Sequence, residues 1–348
     1  MTEETPTTGN HVADLASTTA SRRKFLITSA AVGAGAAVWT APQLRRFGGA
    51  IASAGTLGAI SNYTGAAISL PMGICAGPDG ALWFPNAVND SIGRITTAGI
   101  SSNFVNVPLD HPQYICSGPD GALWFTNSRN GSIGRMTTAG DFSYFANWSG
   151  NSDPVSICVG PDGAFWMANE ATSAITTMTT GGVYTDYTGF WGPKGICSGP
   201  DGALWITITG NNTIGRITTG GIDTRFTDAS ISSPGKICTG ADNALWFTNT
   251  GNDSIGRITT GGIITNFTDA SISSPMAICA GPDNAVWFIN QGAGGSIGRI
   301  TTGGLVTNFD DATISGPIDI CAGPDAGLWF TNNGNSSIGR IDSGVTLS

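Results

Sequence analysis

The chain has 348 residues, of which 40% are hydrophobic, only 11% are charged and 51 are glycine. Low charge with adequate apolar content excludes a disordered chain, and abundant Gly, Thr, Ser and Asn favour short strands and tight turns over helices. The formal net charge of −9 argues against nucleic acid or an anionic membrane surface as a partner, because like charges repel.

The first 54 residues differ in composition from the rest and resemble a bacterial twin-arginine export signal. The basic pair Arg22-Arg23 precedes a weakly apolar run, and the small residues Ala52-Ser53-Ala54 close the segment. The apolar run is shorter than the roughly 20 residues that a membrane span needs. We therefore predict a leader at 1–54 and a mature domain at 55–348, exported through the twin-arginine pathway and secreted or held in the cell envelope, without a membrane span.

Seven copies of one unit make up the remainder of the chain, with a period of 39 to 42 residues. Each copy contains one cysteine and, eight residues later, one tryptophan. The cysteines are Cys75, Cys116, Cys158, Cys197, Cys238, Cys279 and Cys321, and the tryptophans are Trp83, Trp124, Trp166, Trp205, Trp246, Trp287 and Trp329.

Within each copy, four short β-type segments alternate with turn sequences. A segment that opens with Pro and carries the Cys leads through a Gly-Pro-Asp turn, or Gly-Ala-Asp at 240–242 in the fifth copy, to a segment containing the Trp. In most copies a Ser-Ile-Gly-Arg segment follows and, after Thr-Gly-Gly or Thr-Ala-Gly, a last strand completes the unit. Proline presets φ, Asp bonds nearby amides and Gly takes positive φ, so these sequences suit tight turns. The pattern predicts an all-β, seven-bladed β-propeller of four-stranded antiparallel blades.

The two ends of the repeat region predict how the ring closes. The seventh copy ends soon after its third strand, at 337–341, whereas 60–64 match the fourth strand of other copies. We therefore expect the N-terminal strand to complete the last blade.

The repeated side chains are interpreted first as packing. Each Trp should fill the wide space between diverging blades, and each Cys should occupy a narrow gap near the axis, too far from its neighbours for a disulfide. A ring of thiols holding a metal is the alternative, but Cys-x-x-Cys spacing is absent, so no metal site is predicted. The arginine after Ile-Gly, replaced by Thr177 in the third copy, should form a hydrogen-bonding fork with the turn Asp.

From about residue 56 onward the copies resemble the virginiamycin B lyase (streptogramin B lyase) family. The resemblance rests on Gly-Pro-Asp-Gly-Ala-Leu-Trp-Phe and Ser-Ile-Gly-Arg-Ile-Thr-Thr, at 77–84 and 91–97. It implies a seven-bladed propeller that opens a cyclic depsipeptide antibiotic by elimination, using a His base, Glu side chains and magnesium. In that family the His follows the strand-opening Pro, and a Glu follows Trp-Phe-Thr.

Neither position carries the family's residue type here. The position after the strand-opening Pro holds Met72, Gln113, Val155, Lys194, Gly235, Met276 and Ile318. The position after Trp-Phe-x holds Asn86, Asn127, Asn169, Ile208, Asn249, Asn290 and Asn332. Beyond the leader, the chain has one histidine, His111, and one glutamate, Glu170. An amide cannot act as a general base or supply anionic charge to magnesium, so the family mechanism is expected to be absent.

Candidate ligand-binding residues are those that break the repeat, which concentrate in copies two to four, together with the repeated asparagines, which suggest a partial amide ring at one rim of the channel. Aromatic side chains beside charged groups suit a cyclic peptide, a glycan or another ring-bearing ligand. Divergence of unconstrained loops is the alternative, as is turn stabilisation for the repeated asparagines. The predicted binding residues are Gln113, Tyr114, Asn127, Arg129, Trp148, Asn169, Trp191 and Lys194.

Two classes of function stay open at this point. The favoured one is an exported, monomeric propeller without a cofactor that binds a small molecule, cyclic peptide, glycan or protein. The alternative is an enzyme with a rearranged site that uses His111 and Glu170, either a hydrolase or an elimination lyase, the latter with magnesium.

Overall fold

Four concentric sets of short strands form the fold in the computed structural model, which describes residues 56–145 and 154–346. The innermost strands are β2 (Cys75–Ala76), β6 (Pro112–Ser117), β10 (Pro154–Val159), β14 (Pro193–Ser198), β18 (Pro234–Thr239), β22 (Pro275–Ala280) and β26 (Pro317–Ala322). The second strands are β3 (Leu82–Asn86), β7 (Leu123–Asn127), β11 (Phe165–Asn169), β15 (Ala203–Ile208), β19 (Leu245–Asn249), β23 (Val286–Asn290) and β27 (Gly327–Asn332).

The outer half of each blade has the same regularity. The third strands are β4 (Ser91–Ile95), β8 (Ser132–Met136), β12 (Ala174–Met178), β16 (Thr213–Thr218), β20 (Ser254–Ile258), β24 (Ser296–Ile300) and β28 (Ser337–Asp342). The outermost strands are β5 (Ser101–Val105), β9 (Phe142–Phe145), β13 (Tyr184–Thr188), β17 (Asp223–Thr227), β21 (Ile264–Thr268), β25 (Val306–Phe309) and β1 (Ile60–Tyr63). Short 3-10 turns at Thr209–Asn211 and Gly292–Gly294 are the helical elements among the described residues.

These strands form seven four-stranded antiparallel sheets, which confirms the predicted seven-bladed propeller. We number the blades by their innermost strands, so that β2 begins blade 1 and β26 begins blade 7. The N-terminal strand β1 pairs with β28 in blade 7, with Ile60 opposite Ile341 and Tyr63 opposite Ile338. The ring is therefore closed as the sequence predicts, by strands from the two ends of the domain.

The repeated tryptophans pack between blades. Trp83 of blade 1 is fully buried and lies in one apolar cluster with Ile115 and Leu123 of blade 2. Trp329 of blade 7 packs likewise against Leu82 of blade 1. Each repeated tryptophan is fully buried, so the predicted packing role is confirmed.

All seven cysteines are free thiols that pack against the same interblade clusters. Burial raises the pKa of these thiols, for example to about 12 at Cys116 and Cys197. Because the thiolate is the reactive form, these side chains behave as small apolar packing groups.

The turn aspartate ties together the second and third strands of its blade. In blade 1, Asp79 accepts hydrogen bonds from the Trp83 indole at 2.9 Å and from Arg94 Nε at 2.7 Å. Partial burial alone would raise the pKa of Asp79, but these two hydrogen bonds outweigh it and lower the pKa. The Arg–Asp pair recurs in blades 2, 4, 5, 6 and 7, which confirms the predicted fork.

Candidate functional site

The antiparallel order of each blade sorts its loops between the two ends of the ring. Loops that enter the innermost strands and loops that leave the second strands lie at the same end, because neighbouring strands run in opposite directions. We call this end the mouth. The Gly-Pro-Asp and Thr-Gly-Gly turns lie at the opposite end. Those predicted catalytic and binding residues that the structure describes stand at the mouth or on the first residues of the innermost strands.

His111 occupies a backbone position that serves the contact between blades 1 and 2. Its φ of +53° is left-handed, its backbone N–H donates to Asp90 Oδ1 at 2.7 Å, and its ring Nδ1 lies 3.0 Å from the Ala87 carbonyl oxygen. Ser274, at the equivalent position before Pro275, also has positive φ and donates to Asp253 of the preceding blade. The imidazole is thus held half-buried against blade 1.

Glu170 and Lys194 form an ion pair between blades 3 and 4. Lys194 Nζ donates to Glu170 Oε2 at 2.5 Å, and each side chain is about 40% exposed (39% and 41%). Glu170 therefore engages a lysine of blade 4, whereas His111 engages blade 1. The structure brings together the predicted residues Glu170 and Lys194, and each of the two predicted catalytic residues is held by a different neighbour.

Trp191 is the most exposed of the described tryptophans. Its relative exposure is 68%, and its carbonyl oxygen accepts a hydrogen bond from Gly210 N at 3.0 Å. Only Gly192 and Pro193 separate it in sequence from Lys194. The other predicted aromatic residue of these loops, Trp148, lies outside the described residues.

The other predicted polar residues of blade 2 contact neighbouring loops. Gln113 donates from Nε2 to Ser128 Oγ at 3.1 Å, and Ser128 Oγ donates to the His111 carbonyl. Arg129 lies at 3.8 Å from Asp110 and is largely exposed. These contacts hold the loops on either side of β6 together at the mouth.

The asparagines that end the second strands are buried and hold loops in place. Asn86, the clearest example, accepts from Ser69 N at 2.9 Å and donates to Ala67 O and Ser91 Oγ. The predicted binding residues Asn127 and Asn169 are fully buried and donate to Ser132 and Thr176, respectively. Ligand contact by these two amides stays a prediction, and it requires a change of conformation because both are buried.

Magnesium does not fit the residues at the family positions. Mg²⁺ is bound through carboxylate oxygens and waters, whereas six of these positions hold buried asparagines. In the ranges 56–145 and 154–346, no group of three or more His, Cys, Asp or Glu side chains could hold a metal ion. No reaction step through magnesium follows from this donor set.

A second polar region, which the sequence analysis missed apart from Tyr114, lies on the axis of the ring. A cavity of about 100 Å³ is lined by Tyr114, Ser156, Lys236 and Asp319 together with four isoleucines. These residues come from β6, β10, β18, β22 and β26, so the cavity lies in the central channel. The sequence signal was present: comparison of the copies at the second position after the strand-opening Pro, rather than the first, singles out Lys236 and Asp319.

Comparisons with known proteins agree with this architecture. The profile of the virginiamycin B lyase family matches residues 7–189 and 189–348. A solved streptogramin B lyase is 29% identical with a TM-score of 0.77, over 84% of this chain and 99% of that chain. Virginiamycin B lyase from Staphylococcus aureus is 31% identical with a TM-score of 0.75, over 82% and 98% of the two chains.

A further solved structure is a catalytically inactive histidine-to-alanine variant of the S. aureus enzyme with quinupristin. It is 30% identical to this chain, with a TM-score of 0.75 over 82% of this chain and 99% of that chain. A comparison with curated proteins gives no match. Among the described residues, no helix is long and apolar enough to span a bilayer.

Proposed function

Because the chain belongs to the virginiamycin B lyase family, we propose that it is an exported propeller that binds a ring-bearing small molecule, such as a cyclic peptide, without catalysing the lyase reaction. One observation carries the proposal. The exposed indole of Trp191 lies at the mouth, three residues before Lys194, which forms an ion pair with Glu170. An indole face can stack on a flat ring, and the half-exposed ion pair can form charge-assisted hydrogen bonds with polar groups of the same ligand.

The residues available for acid–base chemistry support binding over catalysis. A general base needs an available basic atom within hydrogen-bond reach of the substrate. His111 contacts blade 1 through its backbone N–H and its ring Nδ1, which leaves Nε2 as its one candidate basic atom, and Glu170 is engaged in an ion pair with Lys194. The positions where the resemblance implies catalytic His and Glu hold other residue types, mostly buried asparagine in the second case.

A lyase or hydrolase with a rearranged site is the second candidate, and the likeness to streptogramin B lyases at about 30% identity favours it (29% and 31%). It would use Nε2 of His111 as the base, since the contact with Ala87 involves Nδ1. Quinupristin, which is present in the related S. aureus structure, serves as the probe that separates the two candidates.

The experiment combines equilibrium dialysis with mass spectrometry of quinupristin after incubation with the mature protein, with and without magnesium. We expect retention of the intact compound and no linearised product. Trp191→Ala should weaken binding about 3- to 10-fold, the range expected for loss of one aromatic stacking contact. Ile222→Ala is the matched control, because Ile222 is 69% exposed and follows a Thr-Gly-Gly turn at the opposite end.

Two outcomes would contradict the proposal. Equal retention by the wild type and Trp191→Ala would exclude the patch at the mouth. Linearised product that disappears in His111→Ala would establish the lyase alternative.

Export rests on the leader, which lies outside the described residues. We infer that 1–54 direct the folded chain through the twin-arginine pathway, and that the mature propeller is a monomer. Arg22→Lys together with Arg23→Lys should leave the protein in the cytoplasm, as judged by cell fractionation, because the paired arginines are the feature that defines this signal. Undiminished export of the double variant would argue against the pathway, and a dimer mass in light scattering would argue against the monomer.

A further inference from the structure

Two opposite charges in the central channel break the sevenfold repeat. They occupy the second position after the strand-opening proline, where most copies carry a small residue. That position holds Gly73, Tyr114, Ser156, Gly195, Lys236, Ala277 and Asp319. Burial of charge is costly, so a lysine and an aspartate in a cavity that is otherwise lined by isoleucines, Tyr114 and Ser156 need an explanation beyond packing.

Lys236 reaches across the channel from blade 5 to the opposite side. Its ammonium donates a hydrogen bond to the Val155 carbonyl oxygen of blade 3 at 2.8 Å and lies 4.1 Å from the centroid of the Tyr114 ring of blade 2. An ammonium has three N–H donors, and the carbonyl uses one of them. Burial lowers the pKa of Lys236 to about 8, so the side chain is mainly charged at neutral pH.

Asp319 lies on blade 7 and keeps part of its acceptor capacity. Its two carboxylate oxygens each accept one backbone hydrogen bond, from Ile74 N at 3.1 Å and Ile320 N at 3.0 Å. An ionised carboxylate has about four acceptor sites, so further donors can be accommodated. Burial raises the pKa of Asp319, and the positive charge of Lys236 opposes this rise.

The cavity lies between these two groups. Both side chains line the same space of about 100 Å³, and they attract each other electrostatically. A liquid water molecule takes up about 30 Å³, so the space corresponds to about three waters, or to one organic molecule of about five heavy atoms. The Ser156 hydroxyl, which also lines the cavity, adds a group that can donate or accept.

We propose that this channel cluster binds a small zwitterion, the size of a free glycine, with its carboxylate on Lys236 and its ammonium on Asp319. A zwitterion satisfies both protein charges at once, whereas an anion would leave Asp319 facing like charge and a cation would do the same to Lys236. The cluster shares no residue with the patch at Trp191, although the positive charge of Lys194 acts on Lys236. Glycine binding is therefore tested separately from the proposed function.

Isothermal titration calorimetry of the mature protein with glycine, acetate and methylammonium tests the proposal. We expect saturable glycine binding at millimolar concentration or below. Acetate and methylammonium should bind at least about tenfold more weakly, since each lacks one charge-assisted contact. Lys236→Met and Asp319→Asn should each weaken glycine binding by about the same factor, whereas Trp191→Ala should leave it unchanged.

Several outcomes would overturn the proposal. Absence of glycine binding would mean that the pair is a structural feature surrounded by water. Acetate binding as tight as glycine binding would indicate an anion site, and unchanged glycine affinity in a folded Lys236→Met protein would place the binding elsewhere. Should either variant fail to melt cooperatively, the comparison of the three compounds on the wild type decides the matter.

Discussion

The two ends of the propeller are built in different ways. At the end with the Gly-Pro-Asp turns, six blades repeat one set of contacts, in which an aspartate receives hydrogen bonds from an indole and an arginine of its own blade. At the mouth, buried asparagines recur, but further side-chain contacts differ between blades: His111 with Ala87, and Lys194 with Glu170. Positions that pack in the same way in every blade have little freedom to vary. Differences between copies therefore accumulate at positions where packing does not determine the residue type.

The largest expected effect comes from removing one interblade tryptophan. Trp246 is fully buried, stacks on Phe267 at 5.3 Å between ring centroids and donates to Asp242 at 3.0 Å. Trp246→Ala should lower the free energy of unfolding by about 3–5 kcal/mol, the usual cost of truncating a buried aromatic side chain. Chemical denaturation measures this change. Trp191→Ala is the control at the mouth and should change stability by less than about 0.5 kcal/mol; similar losses in both variants would remove the distinction between the two ends.

An intermediate effect should follow from neutralising one turn aspartate. Partial burial opposes ionisation of Asp242, but hydrogen bonds from Trp246 and Arg257 outweigh it and lower the pKa. Asp242→Asn should cost about 1–2 kcal/mol at neutral pH, since it removes the charge from two charge-assisted hydrogen bonds. The folded-state pKa lies below the value of about 3.9 for an unfolded aspartate, so this contribution is fully present above that pH and is lost as the pH falls through the folded-state pKa.

Thermal melts of the wild type and Asp242→Asn across the acid range check this dependence. The difference in melting temperature should be constant near neutral pH and should shrink in acid. A difference that grows as the pH falls would contradict the assignment.

The smallest effect should come from restoring the repeat in blade 3. Asp162 accepts a hydrogen bond from Trp166 at 3.1 Å, but Thr177 stands where the other blades carry arginine. Thr177→Arg should build the missing ion pair and stabilise the fold by up to about 1 kcal/mol, the range for partly exposed pairs. A rise in melting temperature that is absent in Thr177→Met would attribute the gain to the charge rather than to the longer side chain.

Comparison of the seven copies was sufficient to predict most of the fold. The spacing of Cys and Trp set the number of blades, and the match of Ile60 to the outermost strands identified the strand that closes the ring on Ile341. The fork between Asp79 and Arg94 was also predictable, because both residues recur at a separation of 15 residues, or 16 in blade 6, within one blade. The secondary structure of a single short apolar segment is ambiguous, but seven aligned copies of the same pattern identify it as a strand.

The candidate sites were less predictable because their contacts join different blades. Nothing in the local sequence shows that His111 takes positive φ to meet Asp90, or that Asn127 is covered by a loop that begins in another blade. Whether a side chain can contact a ligand depends on which residues bury it, and those residues come from distant parts of the chain.

The sequence by itself determined the architecture, since strand periodicity, turn chemistry and a repeat length of 39 to 42 residues are properties that only a closed ring of blades can satisfy together. The tertiary structure alone decided what meets at the axis. Lys236 touches Val155, which is 81 residues away in sequence, and shares a cavity with Asp319. Closure of the ring brings residues that are far apart in the chain close together in space. The sequence pattern does not show which side chains meet across the channel.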